Sequence, residues 1–455
     1  MSGLAARWNR ETSVSLQRQS DMSSDKPPKD KHRRVWLIFF TLGLGTLLPW
    51  NFFMNATNYF TFRLRDTEPG NETFISSNST EETIQNHYQA VFSNVMTICA
   101  MVPLLVFSCL NTILQKRCPQ KVRVMGSLGV ILVTFMVTAV LVRVDMDPLT
   151  FFVITMVKII IINSSGAVLQ SSLFGMASTL PTSYTATIMS GQGLAGTLAA
   201  VSMICAIASG SELGEIAFGY FIFACVVILI AIASFVVLPK MEFYQFYQKS
   251  RDNGEESRPD ESQPLNATRQ PPPHGGTNPS LMSILKKIGV MAFSVWLAFT
   301  VTIGVFPAVT MAVKSTVADG GLWEKFFIPV CCFLTFNLLD FAGRSLSAVC
   351  LWPGQDSKLL PALVLIRVAF VPFFMMCNVQ PRHSMPVIFH HDACFILLMI
   401  VFAFSNGYLT SLCMCYGPKK VDPHEAETAG TIMAFFLSLG LACGAALSCL
   451  FRKVI

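Results

Sequence analysis

Apolar residues fall in long blocks along this chain, and short polar stretches separate them. A helix needs about 20 apolar residues to cross a bilayer. Eleven blocks reach that length: 35–60, 89–111, 122–142, 151–178, 184–209, 217–238, 288–310, 326–351, 359–378, 392–416 and 427–450. Shorter alternating segments would mark a barrel, so all eleven are expected to be helices. The expected fold is an all-α polytopic membrane protein. The two least apolar blocks are 359–378, which holds Arg367, and 392–416, which is rich in Gly, Ser and Asn.

Lysine and arginine in the short loops set the expected orientation. Lys29, Lys31, Arg33 and Arg34 precede the first block. Lys116, Arg117, Lys121 and Arg123 lie between the second and third, Lys240, Lys249, Arg251, Lys286 and Lys287 between the sixth and seventh, and Lys419 and Lys420 before the last. All of these share one side, so residues 1–34 are read as a cytoplasmic tail. The loop 61–88 then lies outside, where the sequons at Asn71 and Asn78 are expected to carry glycans. An odd number of spans puts the C-terminus outside. The polar loop 239–287 divides the chain into bundles at 35–238 and 288–455; its Pro, Ser, Gly and charge content predicts a disordered cytoplasmic linker.

Composition agrees with this division. Charged residues make up 13% of the chain, against about 25% in a soluble domain, which points to one membrane domain. The net charge of +6 resides mainly in loops and gives no nucleic-acid signal. Most of the 14 cysteines sit inside apolar blocks as small hydrophobes. No paired CxxC or histidine set is present to expect a metal or another cofactor, and no HExxH or second carboxylate marks an enzyme. Seven-helix receptors would leave four blocks over.

Polar residues inside the blocks carry the functional signal. Asp340 and Arg344 are the only charges in the stretch 326–351. A charge at the bilayer centre costs roughly 2.5–3.5 kcal/mol on insertion scales, so it faces a partner or an aqueous path. Four residues apart, the two share a helical face. One reading is a structural ion pair; the other is a path for a polar, uncharged solute. A proton relay through Asp340 is a third. Other blocks add Pro49, Trp50 and Asn51, then Gln170, whose amide offers a donor and an acceptor, then a glycine-rich run from Ser190 to Gly196, and finally Ser405 to Tyr408. Polar groups in both bundles match the mid-membrane site of a secondary transporter. Arg123 and Glu427 lie at the expected cytoplasmic ends of their spans.

Several of these stretches together resemble the equilibrative nucleoside transporters: Gly43 to Asn51, Gly166 to Gln170, Ser190 to Gly196, Phe336 to Ser345 and Ser405 to Leu409. The likeness runs over residues 35–455 and is greatest to the type-1, plasma-membrane branch. It implies eleven helices in a six-plus-five, major-facilitator-like arrangement. It also implies ion-independent, bidirectional facilitated diffusion of nucleosides such as adenosine, uridine and inosine. Residue by residue, the resemblance implies that Gln170 reads the base and that Asp340 and Arg344 contact the nucleoside. Trp50, Met54, Leu104, Phe306, Asn337 and Leu441 would line the cavity or tune selectivity. Gly166 would govern sensitivity to nitrobenzylthioinosine-like inhibitors, alongside transport of nucleoside-analogue drugs. Arg123 and Glu427 would form a cytoplasmic gate. Ser165, Ser171 and Phe341 depart from the family pattern, where Phe, Gly and Trp are usual.

Overall fold

The computed structural model describes residues 28–65, 87–115, 117–256, 281–317, 321–382 and 386–455. Those residues are helical apart from connections and two isolated β-bridges. The first half contains α1 (Arg34–Asn55), α2 (Thr57–Arg63), α3 (His87–Leu114), α4 (Gln120–Val142), α5 (Pro148–Ser178), α6 (Thr182–Ser209) and α7 (Leu213–Val237). A connecting helix, α8 (Glu242–Glu256), follows. The second half contains α9 (Leu281–Val305), α10 (Leu322–Phe327), α11 (Thr335–Leu346), α12 (Leu359–Ile366), α13 (Phe370–Met375), α14 (Asp392–Tyr416) and α15 (Ala426–Val454). A π turn, Ile328–Leu334, joins α10 to α11.

Among the described residues, ten helical segments are long and apolar enough to cross a membrane, and Leu359–Met375 is a shorter apolar helix. Large apolar side chains stay exposed on the outer faces, including Val133 and Val140 of α4 and Leu229 and Ile230 of α7. Helices that are apolar both inside and outside suit lipid, and the chain is a multi-pass membrane protein.

Three differences from the expected elements have local causes. The first span breaks at Ala56, and the chain continues as α2 after a turn. The seventh span begins at Leu281 rather than 288. The expected disordered linker carries α8, because Phe243 packs its ring 5.2 Å from that of Tyr184 and gives the segment a buried face. The rest of that linker, 257–280, the tail up to residue 27, and the sequons at Asn71 and Asn78 lie outside the described residues.

Small residues let the site-bearing helices approach closely, as in many membrane bundles. A methyl at Gly191 would overlap the Phe40 carbonyl oxygen, which seats α6 against α1. Between the halves, a methyl at Gly193 would lie 2.8 Å from the Phe341 Cα, and one at Gly196 would overlap the Asn337 amide oxygen. Within the second half, α11 and α14 cross through Gly343 and Gly407. Asp30 fixes the first span by accepting from the Val35 and Trp36 amides (3.1 and 3.0 Å) and from the Tyr184 hydroxyl (3.0 Å).

Candidate functional site

A cavity of about 260 Å³ lies where the halves face each other. The first half contributes Trp50, Leu104, Gly166, Gln170 and Gln192 to its wall. The second contributes Phe306, Phe336, Asn337, Asp340, Arg344, Asn406 and Leu441. Sequence reasoning singled out nine of these twelve as site residues. Met54 differs: it does not line the cavity but packs, half-buried, against the surrounding core one turn beyond Trp50.

The charged pair is internal and well satisfied. Arg344 Nε donates to Asp340 Oδ2 at 2.6 Å, and Asn406 Nδ2 donates to Asp340 Oδ1 at 2.7 Å. Arg344 Nη1 makes only long contacts, 3.5 Å each, with the Met189 carbonyl and Gln192 Oε1. Arg344 Nη2 has no partner among the described residues, although a guanidinium carries five donors. In turn, Gln192 Nε2 donates to Gln170 Oε1 (3.3 Å) and Thr46 Oγ1 (3.1 Å). The Gln170 amide nitrogen has no partner among the described residues. The site therefore offers spare donors from both halves, with Gln192 between them.

Between the polar groups the wall is apolar and aromatic. The Phe306 and Phe336 rings stack with centroids 3.8 Å apart. Nothing lies within 4 Å of where a Gly166 side chain would begin, so that glycine opens onto free space. Asn337 donates its amide to the Phe333 carbonyl (2.9 Å), which fixes its oxygen toward Gly196.

A separate polar cluster links the halves near the start of α4. Arg123 Nη2 pairs with Glu427 Oε1 at 3.1 Å across the halves. Arg123 Nη1 also donates to Asn111 Oδ1 and Ser172 Oγ, both at 3.2 Å. Gln115 donates to Thr428 Oγ1 (2.8 Å) and accepts from Thr431 (3.0 Å). Ile131, which lines the cavity, is eight residues further along α4 than Arg123. At 1.5 Å per residue the Arg123 backbone stands about 12 Å along the helix from that of Ile131. Ser171, one of the departures from the family pattern, bonds Ser108 at 3.2 Å and so ties α5 to α3.

Several polar members of the site escaped sequence reasoning, Thr46 among them. Gln192 lay hidden in a glycine run read as packing, Asn406 in a Ser-Asn-Gly segment open to two readings, and Thr302 carried no signal. Thr302 Oγ1 donates to Asn406 Oδ1 at 2.8 Å.

Comparison with known proteins fits this geometry. Residues 156–453 match the model of the nucleoside transporter family. Human equilibrative nucleoside transporter 1 is 54% identical over 95% of this chain and 100% of its own length. Human equilibrative nucleoside transporter 2 is 44% identical over the same shares. Among solved structures, the human organic anion transporter MFSD10 (TETRAN) superposes with TM-score 0.54 at 13% identity, covering 94% of this chain and 95% of that one. The major facilitator superfamily proton:xylose symporter XylE gives TM-score 0.54 at 12% identity, covering 92% and 88%. These two establish a major-facilitator-like fold. With the cavity, its polar walls and near end-to-end similarity in agreement, the chain belongs to the equilibrative nucleoside transporter family.

Proposed function

We propose that this chain is a plasma-membrane uniporter that carries purine and pyrimidine nucleosides, adenosine, uridine and inosine among them, in both directions without ion coupling. The reading rests above all on one observation: Arg344 and Gln170, one from each half and bridged by Gln192, both line an aromatic cavity with donors to spare. A nucleoside is neutral, flat at one end and rich in hydroxyls at the other. Its base meets Gln170 and the stacked Phe306 and Phe336, while its ribose meets Arg344 and Asp340. Exchanging water for protein hydrogen bonds changes the free energy little, which suits a carrier that must release on either side.

In this reading the helix Leu359–Met375 counts as the ninth of eleven spans, arranged six plus five. The N-terminus is cytoplasmic, the C-terminus extracellular, and Asn71 and Asn78 carry glycans. Nitrobenzylthioinosine-like inhibitors and nucleoside-analogue drugs enter the same cavity past Gly166. Nucleic acid is not a partner. Purified protein in liposomes should equilibrate labelled uridine and stop at equal concentrations, with or without a pH gradient. Accumulation driven by the gradient would replace the uniporter with a proton-coupled carrier.

Alternating access follows from moving one half against the other, with the Arg123–Glu427 cluster as the cytoplasmic gate. Losing one member of a buried ion pair costs about 3–5 kcal/mol. Glu427→Gln keeps a hydrogen-bond acceptor but removes the charge, so part of that cost falls on the closed state. A cysteine placed at Thr431 should then react with a membrane-impermeant thiol reagent roughly tenfold faster from the cytoplasmic side, since about 1.4 kcal/mol is a factor of ten. An unchanged rate would remove the gate assignment.

A further inference from the structure

Gln192 bridges the two halves of the site, and its neighbours leave its amide one orientation. A guanidinium only donates, so the atom that faces Arg344 Nη1 at 3.5 Å is Gln192 Oε1. On the other side lies Thr46, whose single hydroxyl proton is committed to the Gly43 carbonyl at 2.7 Å. Thr46 Oγ1 is left to accept, and Gln192 Nε2 donates to it at 3.1 Å. Turned over, the amide would set its nitrogen against the guanidinium and its oxygen against a hydroxyl with no proton to give. Neither contact is a hydrogen bond, and Gln192 is only 3% exposed, where a lost pairing is costly.

Arg344 is itself held from behind. Its Nε donates to Asp340 Oδ2 at 2.6 Å, and Asp340 Oδ1 accepts from Asn406 Nδ2 at 2.7 Å. The Asn406 oxygen in turn accepts from Thr302 (2.8 Å) and, more distantly, from the buried Arg367 (3.4 Å). Gln170 is the last link. Its Oε1 accepts the second proton of Gln192 Nε2 at 3.3 Å. Its own nitrogen, on the other side of the amide, has no partner among the described residues, and Gln170 lines the cavity. What Gln170 has free for a solute is thus a donor.

We propose that Gln192 is a positioning residue: it fixes the Gln170 amide with its nitrogen free for the solute, so that the site selects bases offering a lone pair at that point. The inference rests on the cavity being the nucleoside site with Gln170 at the base. Acceptors outnumber donors on the edges of the common bases, as carbonyl oxygens in uracil and bare ring nitrogens in adenine. A fixed donor therefore serves pyrimidines and purines alike. It also penalises a base that lacks the acceptor, because the donor is then left unpaired. Freed from Gln192, the Gln170 amide turns either face to the base, and that penalty disappears.

Competition against labelled uridine uptake in proteoliposomes tests the assignment. The competitors are adenosine and its deaza isomers, in each of which one bare ring nitrogen becomes C–H. For the native protein at least one isomer should compete about fivefold more weakly than adenosine, since the Gln170 donor then has no acceptor. Gln192→Met keeps the length of the side chain without its amide, and the gap should shrink to within about twofold. A merely structural Gln192 predicts that all competitors weaken by one factor while the gap persists, and that result overturns the proposal. Should Gln192→Met give no folded protein, Gln192→Glu still meets Arg344 with an oxygen but sets its other oxygen against Gln170, which must then swing its nitrogen away from the base. A collapsed or reversed gap in that variant supports the proposal, and an unchanged gap overturns it. No gap for any isomer, in a native protein that carries uridine, sinks this inference alone, whereas a native protein that takes up no uridine sinks the nucleoside reading itself.

Discussion

Asp340→Ala should abolish nucleoside uptake and lower the thermal stability of the detergent-purified protein. The substitution removes one negative charge and leaves two buried cations, Arg344 and Arg367, facing each other across Asn406. Removing one partner of a buried pair costs about 3–5 kcal/mol because the remaining charge is uncompensated. The Asn406 amide also loses its acceptor, at about 1–3 kcal/mol for a buried unsatisfied donor. Stability and function should therefore fall together. Asp340→Asn separates the two: it retains an acceptor for Asn406 but not the charge, so it should fold better than Asp340→Ala while still failing to transport. Native-like melting of Asp340→Ala would show that the pair is not the electrostatic centre of the second half.

Gly407→Ala should be the most disruptive single methyl in the protein. A Cβ there would overlap the Asp340 carbonyl oxygen, and the obstacle is backbone, which has no rotamer to yield. Forcing α14 away from α11 would stretch the Asn406–Asp340 bond on the adjacent residue. Overpacking costs typically about 1–3 kcal/mol, and here it falls on the helix pair that carries the charges. Gly166→Ala is the matched control, since its methyl enters open cavity space. Melting temperatures of the two variants should differ by several degrees, with Gly166→Ala near native. Equal stabilities would mean that α11 and α14 separate without cost.

The spans were legible because lipid demands long apolar runs whatever the helices pack against. Asp340, Arg344 and Gln170 were legible for the same reason, as polar groups where none is tolerated without a function. Arg367 obeys that rule too, yet in sequence it only weakened the ninth span. Its partners are a carbonyl and hydroxyls contributed by α9 and α14, far away along the chain. Gln192 stayed hidden because its flanking glycines signal close packing, and close packing is also present: Gly193 seats α6 on α11 while Gln192 reaches the cavity. Met54, named through the family resemblance, sits one turn from Trp50 just before the break at Ala56, and it packs on the core beside the cavity wall. The helix in the expected linker followed from aromatic residues at its start, ahead of the composition that predicted disorder.

Asp340, Arg344 and Arg367 belong to one half of the molecule, and Asn406 binds them to one another. Moving one elementary charge through a full membrane potential is worth about 2.3 kcal/mol per 100 mV. Charges divided between two moving bodies would shift separately through that field, and turnover would then respond to voltage. Here the three charges are tied into one block of net charge +1, packed on the other half where Gly193 and Gly196 seat α6 on α11. Voltage then acts on turnover only through whatever depth that block changes as a unit, and not through any one of its members alone.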